Sequence, residues 1–193
     1  MARPLRRFVP DITLHAIHRG NNKCCLFADD CDHEWYLELL RRAAGRYGIS
    51  VHAFTLMTNH THLVVTPGSK MAMSRAMQSL GSQYVRYFNT KNGRIGTLLN
   101  GRYTAKPLED DRYVLTCHRY VEQNPVRAGM VKTPADHRWS SYSVLALGNR
   151  ADWIVPHRVY EALGKTPEER QAAYRDVCAT PLPGDEIVRF RGR

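Results

Sequence analysis

Residues 49–67, ISVHAFTLMTNHTHLVVTP, carry the pattern on which the predicted fold depends. In the first half of this stretch, two sets of residues alternate with the two-residue period of a β-strand: Val51, Ala53, Thr55 and His52, Phe54, Leu56. Thr58 and Asn59 are typical of a tight turn, and the strand pattern resumes at His60. The stretch therefore predicts an antiparallel hairpin, with His60 and His62 at the beginning of its second strand.

The two histidines of this hairpin are candidate metal ligands. Because side chains alternate between the faces of a strand, we expect His60 and His62 on one face, about 6.5 to 7 Å apart. That spacing suits two imidazoles that converge on one metal ion. Thr61 would point to the core, where its hydroxyl needs a hydrogen-bond partner such as a neighbouring carbonyl. A His-x-His pair is weak evidence on its own, since strand histidines commonly bind no ligand.

A second candidate element lies sixty residues further on, in a helical pattern that begins at Asp110 or Asp111. Tyr120 and Asn124 stand four residues apart there, so they share one helix face and are separated by one turn. Pro125 disfavours helix for the preceding residue, and we therefore expect Asn124 at the helix end. A contact between strand and helix could bring a metal, a phenol and an amide ligand together. Alternatively, Tyr120 only packs against its own helix and Asn124 only ends it.

The order of predicted elements is β-α-β-β-α-β-α. Outside the hairpin, strands are expected at about 11–17 and 102–106, and helices at about 30–47 and 73–88. This order fits an α+β fold of the split βαβ kind, in which helices pack on a four- or five-stranded antiparallel sheet and the His-x-His strand is central. We place this domain in residues 1–148 and a helical C-terminal extension in 149–193. Residues 187–193 alternate Arg with apolar residues or Gly, which suits either an arm for DNA or a frayed terminus.

Charge and composition limit the class of partner. Lys and Arg total 28 against 18 Asp and Glu, which gives a net charge of +10 and a pI near 9.6. A polyanionic partner is the natural inference, although a basic surface can also serve solubility alone. A basic arm, Arg3 to Arg7, opens the chain. No apolar run reaches membrane-spanning length and the first residues lack the apolar core of a secretory signal, so we expect a cytoplasmic protein without membrane contacts.

The cysteines point to neither disulfides nor zinc. Their number is odd, and no CxxC spacing occurs among Cys24, Cys25, Cys31, Cys117 and Cys178. We expect them to be reduced, with Cys117 and Cys178 in the core.

Four segments, taken together, resemble one known family: LMTNHTHLVVTP (56–67), MQSLGSQYVRYFN (77–89), HRYVEQNPVRAGMV (118–131) and WSSYSVLALG (139–148). The family is that of the REP-associated tyrosine transposases, single-tyrosine HUH endonucleases related to the small insertion-sequence transposases. Two departures occur. Thr61 stands where the family usually has a large apolar residue, and Leu99-Asn100 stands where it often has Trp-Gln.

The resemblance implies a ferredoxin-like fold and metal-dependent cleavage and rejoining of single-stranded DNA next to a REP-like hairpin, through a 5′-phosphotyrosine. His60 and His62 match the metal-binding pair of the family, Tyr120 its nucleophile, and Asn124 the residue that completes the metal site. The oxygens of the substrate favour Mg²⁺ or Mn²⁺. Relatives of this kind work as monomers or homodimers. Five basic residues are candidates for DNA contacts: Arg19, Arg86, Arg102, Lys106 and Arg127.

Two other functions stay open at this point. A non-catalytic protein that binds DNA hairpins would use the same basic surface, and Tyr120→Phe would change none of its properties. A metal-dependent phosphodiesterase that activates water would leave hydrolysed ends and no protein–DNA adduct. The remaining histidines that could suggest a larger metal cluster are better interpreted as hydrogen-bonded structural residues: His15, His18, His52 and His118.

Overall fold

The computed structural model describes residues 8–190, and the predicted hairpin forms one half of its four-stranded sheet. The four strands are β1 (Leu14–Arg19), β2 (Ile49–Met57), β3 (His60–Pro67) and β4 (Thr104–Pro107). They are antiparallel and lie in the order β2-β3-β1-β4, the arrangement of a ferredoxin-like split βαβ fold. The His-x-His strand is thus an interior strand, as the sequence predicts.

Two long helices cover one face of the sheet. They are α1 (Asp30–Tyr47) and α2 (Ala72–Lys91). They pack together over the face that carries Leu63 and Val65, so the alternate residues of β3 face the other way. Thr61 belongs to the covered face, and the partner of its hydroxyl is the Tyr36 phenol at 3.2 Å rather than a carbonyl.

The opposite face of the sheet receives the helix of the candidate nucleophile, α3 (Asp111–Arg127), which packs on β2 and β3. The side chain of Asp110 accepts a hydrogen bond from the Tyr113 amide and caps the helix, as expected. Four further helices follow: α4 (Tyr142–Leu145), α5 (Arg158–Glu161), α6 (Pro167–Ala179) and α7 (Gly184–Phe190). Helices α5, α6 and α7 all contact α3, so α3 lies between the sheet and the C-terminal segment. The division of the chain after residue 148 stays a prediction.

Four details differ from the sequence prediction. Strand β1 begins at Leu14 rather than near residue 11. The alternating pattern predicts a half-buried strand, but β1 is buried except at its last residue because it lies between β3 and β4. The cap of α1 is Asp29 rather than Asp30 or Asp32. Helix α3 continues through Pro125 to Arg127, since a proline in a last turn sacrifices only one backbone hydrogen bond. Residues 187–190 are neither an extended arm nor a frayed end, because they form the second half of α7.

Three further predictions concern the chain termini, the cysteines and membrane spans. The basic arm Arg3 to Arg7 and residues 191–193 lie outside the described residues. All five cysteines are free, and Cys117 and Cys178 are buried. No helix within residues 8–190 combines the length and the apolar character that a membrane span requires.

Candidate active site

The imidazoles of His60 and His62 lie on the α3 face of the sheet, where β3 begins. His60 is half-buried and His62 is 1% exposed. Their ring centroids are 4.9 Å apart and the rings are nearly perpendicular, at 77°. The centroids are closer than the backbone spacing of alternate strand residues, so the two rings incline toward each other. The structure therefore brings this predicted pair together on one face.

The position of the proton on His60 follows from its neighbour. The Asn59 amide nitrogen donates to the Lys23 carbonyl at 3.3 Å, which turns the Asn59 carbonyl oxygen toward His60. That oxygen lies 2.7 Å from His60 Nδ1 and can only accept, so Nδ1 carries the proton. The Nε2 atom of His60 then holds a lone pair, which is the form that binds a metal ion.

His62 has a different partner, a histidine on the neighbouring strand. Its Nδ1 lies 2.9 Å from His15 Nε2, and the two rings are 12° from parallel. The other nitrogen, His62 Nε2, is buried and has no hydrogen-bond partner within residues 8–190. Buried ring nitrogens nearly always have a partner, so His62 Nε2 has a binding capacity that nothing in the described chain uses.

All three imidazoles are neutral at pH 7. Burial lowers the pKa of His15 to about 3, with a smaller effect from the Lys106 ammonium. Burial also lowers the pKa of His60 to about 4, helped by the Arg19 charge, and it holds the pKa of His62 well below its ordinary value. Neutral imidazole is the form required of a metal ligand.

Tyr120 projects from α3 onto this group of rings. Its ring lies edge-to-face with His62, at 5.5 Å and 85°, and with His15, at 5.7 Å and 78°. The Arg127 guanidinium lies over the same ring, with Cζ 5.1 Å from the centroid. Tyr120 is nevertheless only 3% exposed, and Phe190 of α7 packs on it at 5.0 Å between centroids. The phenol is therefore beside the histidines, as predicted, but covered by the C-terminal helix.

Asn124 stands one turn beyond Tyr120. Its side chain is buried, and the amide nitrogen has no hydrogen-bond partner within residues 8–190. An unpartnered buried amide has hydrogen-bonding capacity that nothing in the described chain uses. Among residues 8–190, no group of three or more His, Cys, Asp or Glu side chains could hold a metal ion. A metal site here would consequently combine the two imidazoles with a donor of another type, such as an amide oxygen.

The five basic candidates do not form one surface. Arg19 and Arg127 lie close enough to His62 for their charges to lower its pKa further. Lys106 lies near His15, but its ammonium donates to the Arg189 carbonyl at 3.2 Å and so fastens the end of α7.

The other two candidates, Arg86 and Arg102, are exposed and lie elsewhere. Arg86 is on α2, which covers the opposite face of the sheet. Arg102 lines a cleft of about 450 Å³ between α2 and the segment before β4, together with His18 and Tyr103. The structure therefore places only Arg19 and Arg127 beside the imidazole pair.

Comparison with protein families identifies the family of this chain. The sequence model of the family described as "Transposase IS200 like" matches residues 8–124, more than half of the chain. The chain belongs to the IS200-like transposase family. The matched range includes the strand with His60 and His62 and ends at Asn124, so it covers every candidate ligand and the candidate nucleophile of the transposase.

One solved structure agrees with the fold of the transposase. A REP-associated tyrosine transposase bound to a REP hairpin superposes with a TM-score of 0.63 and 15% sequence identity, over 82% of this chain and 93% of that chain. A structure from Deinococcus radiodurans, provisionally described as a transposase, gives a TM-score of 0.43 and 18% identity, over 64% of this chain and 97% of that one. No curated protein sequence matches the chain. The first similarity confirms the α+β fold expected from the sequence.

Sequence reasoning missed two participants in the site of the transposase. The prediction that His15 is a hydrogen-bonded strand residue is confirmed, but nothing local in the sequence identifies His62 as its partner. The sequence predicts an arm for DNA or a frayed terminus at Phe190, although this residue is 1% exposed and touches the candidate nucleophile. The available signal was the apolar spacing of Ile187 and Phe190, which one helical turn brings to the same face.

Buried histidines away from the site should make the transposase sensitive to acid. Burial lowers the pKa of His18 and His52 to about 4 and that of His118 to about 3. In the unfolded chain each titrates near pH 6.5, so the unfolded state binds more protons below that pH. Their contribution to stability is complete above pH 6.5 and is lost as the pH falls toward 4. Glu122 acts in the opposite direction, because burial raises its pKa to about 7.

We expect the free energy of unfolding to fall between pH 7 and pH 5, by about 2 kcal/mol for each of these histidines at pH 5. Urea unfolding followed by far-UV circular dichroism at several pH values measures it. His118→Gln should reduce this loss of unfolding free energy by about 2 kcal/mol at pH 5, the contribution of one histidine. Equal acid sensitivity in that variant and the wild type would contradict this account.

Proposed function

We propose that the transposase cleaves and rejoins single-stranded DNA beside a hairpin, with Tyr120 as the nucleophile. One observation carries this proposal. The Tyr120 ring lies 5.5 Å from the ring of His62, whose Nε2 atom is buried and without a partner in the described chain. A phenol beside an imidazole with a vacant nitrogen suits a nucleophile next to a metal site.

The residues present fit a divalent cation. His60 Nε2, His62 Nε2 and the Asn124 amide oxygen would hold it: the proton of His60 is on Nδ1, which leaves a lone pair on Nε2, and His62 Nε2 is buried without a partner in the described chain. Because the substrate oxygens are hard ligands, Mg²⁺ or Mn²⁺ is the expected ion. When bound, it would act as a Lewis acid on the scissile phosphate.

The chain's own residues supply the rest of the reaction. The Tyr120 phenol gives up its proton as its oxygen attacks phosphorus, the bond from phosphorus to the 3′ oxygen breaks, and the 3′ oxygen takes up a proton and leaves as a hydroxyl. The DNA is then joined to the protein through a 5′-phosphotyrosine, and attack by a DNA 3′-hydroxyl reverses the step and rejoins the strand. No external energy source is needed, since the number of phosphodiester bonds is conserved. Arg19 and Arg127 would attract the phosphate to this position.

A DNA hairpin is the proposed partner. The net charge of +10 favours a polyanion, and the solved relative of the same fold is bound to a REP hairpin. Arg102 and Arg86 are exposed and lie away from the imidazole pair, where the duplex stem of a hairpin would lie at a distance from the cleaved strand.

A covalent adduct distinguishes this function from its alternatives. Labelled single-stranded oligonucleotides with hairpins from the DNA that flanks the gene would be mixed with protein and Mn²⁺, denatured and separated by gel electrophoresis. We expect a labelled band at the mobility of a protein–DNA adduct. Cleaved ends without an adduct would favour activated water, and binding without cleavage would favour a hairpin-binding protein.

Helix α7 must move before DNA can reach Tyr120, so Phe190→Ala should accelerate adduct formation. Full burial of a phenylalanine side chain stabilises the packed position of α7 by about 1.5 to 3 kcal/mol. Its removal would raise the fraction of molecules in which α7 has moved off Tyr120 about ten- to a hundredfold. Initial rates of adduct formation at saturating Mn²⁺ measure the effect.

The matched control for this prediction is Val188→Ala on the same helix. Val188 is 66% exposed and does not cover the phenol, so its substitution should leave the rate unchanged. A folded Phe190→Ala protein that is no faster than the wild type would show that α7 does not limit access.

A further inference from the structure

We infer that His15 is a positioning residue that accepts a hydrogen bond from Nδ1–H of His62 and thereby keeps a lone pair on His62 Nε2. This inference rests on the proposed function, because the lone pair matters only if Nε2 binds a cation. His15 does not itself touch the substrate or the cation in this account.

The register of the sheet brings His15 to His62. Strand β1 pairs with β3 so that His15 is opposite Val64 and Ile17 is opposite His62. His15 and His62 are therefore diagonal neighbours on the same face, a separation that long and aromatic side chains can bridge. The result is the contact of 2.9 Å between His15 Nε2 and His62 Nδ1, with nearly parallel rings.

Two proton arrangements are compatible with that contact. If His15 donates, the proton of His62 is on Nε2, where it is buried and unpaired within the described chain, and His62 cannot bind a metal ion. If His62 donates, Nε2 carries only a lone pair. A buried unpaired N–H costs about 1 to 3 kcal/mol, whereas a lone pair at the same place is satisfied when a cation arrives.

His60 has the same kind of hydrogen bond at Nδ1, and there the donor and the acceptor are fixed. Nδ1–H of His60 donates to the Asn59 carbonyl oxygen, which leaves His60 Nε2 free to bind. If His15 does for His62 what Asn59 does for His60, both ring nitrogens available to the cation are Nε2 atoms with lone pairs. Metal-binding histidines in proteins characteristically donate their other N–H to a fixed acceptor of this kind.

The ring of His15 is held in place by its surroundings. It is 2% exposed and lies edge-to-face with Tyr120, at 5.7 Å, and with Phe190, at 5.8 Å. The ammonium of Lys106, its neighbour on β4, is engaged by the Arg189 carbonyl. His15 thus packs against both the candidate nucleophile and the helix that covers it. A change in its hydrogen bond acts on His62 directly.

The proton position can be measured in the metal-free protein. Long-range ¹H–¹⁵N spectra of the histidine side chains distinguish a ring protonated at Nδ1 from one protonated at Nε2. We expect the spectrum of His62 in the wild type to show Nδ1–H and an unprotonated Nε2. A spectrum that shows Nε2–H on His62 would overturn the inference without recourse to any variant.

Substitutions at His15 test its consequence for binding. We expect His15→Leu, which removes the acceptor, to weaken Mn²⁺ binding about ten- to a hundredfold. His15→Gln offers an amide oxygen and should recover most of that loss. Titration calorimetry, or the electron paramagnetic resonance signal of free Mn²⁺, gives the dissociation constants. His18→Leu is the control, because His18 is buried in the same strand but is opposite Thr61 and therefore lies on the other face of the sheet from His62.

The outcomes separate this inference from the proposed function. If wild type binds Mn²⁺ and His60→Ala does not, while His15→Leu binds as tightly as wild type, the role of His15 is refuted and the metal site stands. If His60→Ala binds Mn²⁺ as well as wild type does, the metal site is wrong and the inference falls with it.

Discussion

Tyr120→Phe is expected to abolish the covalent protein–DNA adduct while leaving the fold and hairpin binding intact. The substitution keeps the ring, and with it the edge-to-face contacts to His15 and His62 and the packing on Phe190. It removes the oxygen that would attack phosphorus. Removal of a catalytic nucleophile commonly costs a factor of about 10⁴ to 10⁶ in rate, so no adduct should be visible on a denaturing gel.

Tyr113→Phe supplies the matched control for this experiment. Tyr113 is on the same helix and stacks on the same Phe190 ring, at 4.7 Å, but it lies about two turns before Tyr120 and is not a proposed nucleophile. Its variant should form adduct at about the wild-type rate. If Tyr120→Phe still forms an adduct, another side chain is the nucleophile. If wild type cleaves DNA and the variant cleaves it equally well, activated water is the better account.

The parts of the site that the sequence predicts are those governed by local geometry. His60 and His62 share a face because strand side chains alternate, and Tyr120 and Asn124 share a face because a helix turns once in about four residues. The turn at Thr58 and Asn59 fixes where β3 begins and hence which face the imidazoles take. These rules need no knowledge of distant residues.

The parts that the sequence misses depend on contacts across the chain. The bond between His15 and His62 joins residues 47 positions apart and exists only in one register of β1 against β3. A shift by one residue would turn His15 to the other face, and no local pattern excludes it. Phe190 likewise becomes part of the site only when α7 packs on α3, which short-range periodicity cannot show.

Asn124 and Pro125 illustrate a rule that tertiary structure modifies. Proline disfavours helix in the preceding residue, so the sequence predicts a helix end at Asn124. The helix instead continues to Arg127, and the Ala128 amide donates to the Asn124 carbonyl at 2.9 Å. Residues 123–125 are buried, and this packing offsets the cost of the proline. Asn124 keeps a rigid helical backbone as a result, which suits a side chain proposed to hold a cation.

His62→Ala is expected to eliminate the effect of Mn²⁺ on the transposase, in both cleavage and stability. A catalytic metal ion supplies several kcal/mol of transition-state stabilisation, and each 1.36 kcal/mol corresponds to a factor of ten in rate. Cleavage at saturating Mn²⁺ should therefore fall by about a hundredfold or more. His60→Ala should behave in the same way, because the two imidazoles act on one ion.

The accompanying change in stability separates a ligand from a structural histidine. A cation that binds only the folded state raises the free energy of unfolding by RT ln(1 + [L]/Kd), about 2.7 kcal/mol at a hundredfold excess over Kd. Thermal unfolding with and without Mn²⁺ should show this gain in wild type and not in His62→Ala. His52→Ala is the control, since Nδ1–H of His52 donates to the Val155 carbonyl at 2.7 Å and its Nε2 accepts from the Thr66 hydroxyl at 2.8 Å. The His52→Ala variant should unfold at a lower temperature than wild type and still gain stability from Mn²⁺. If His62→Ala gains as much stability from Mn²⁺ as wild type does, the cation binds elsewhere on the chain.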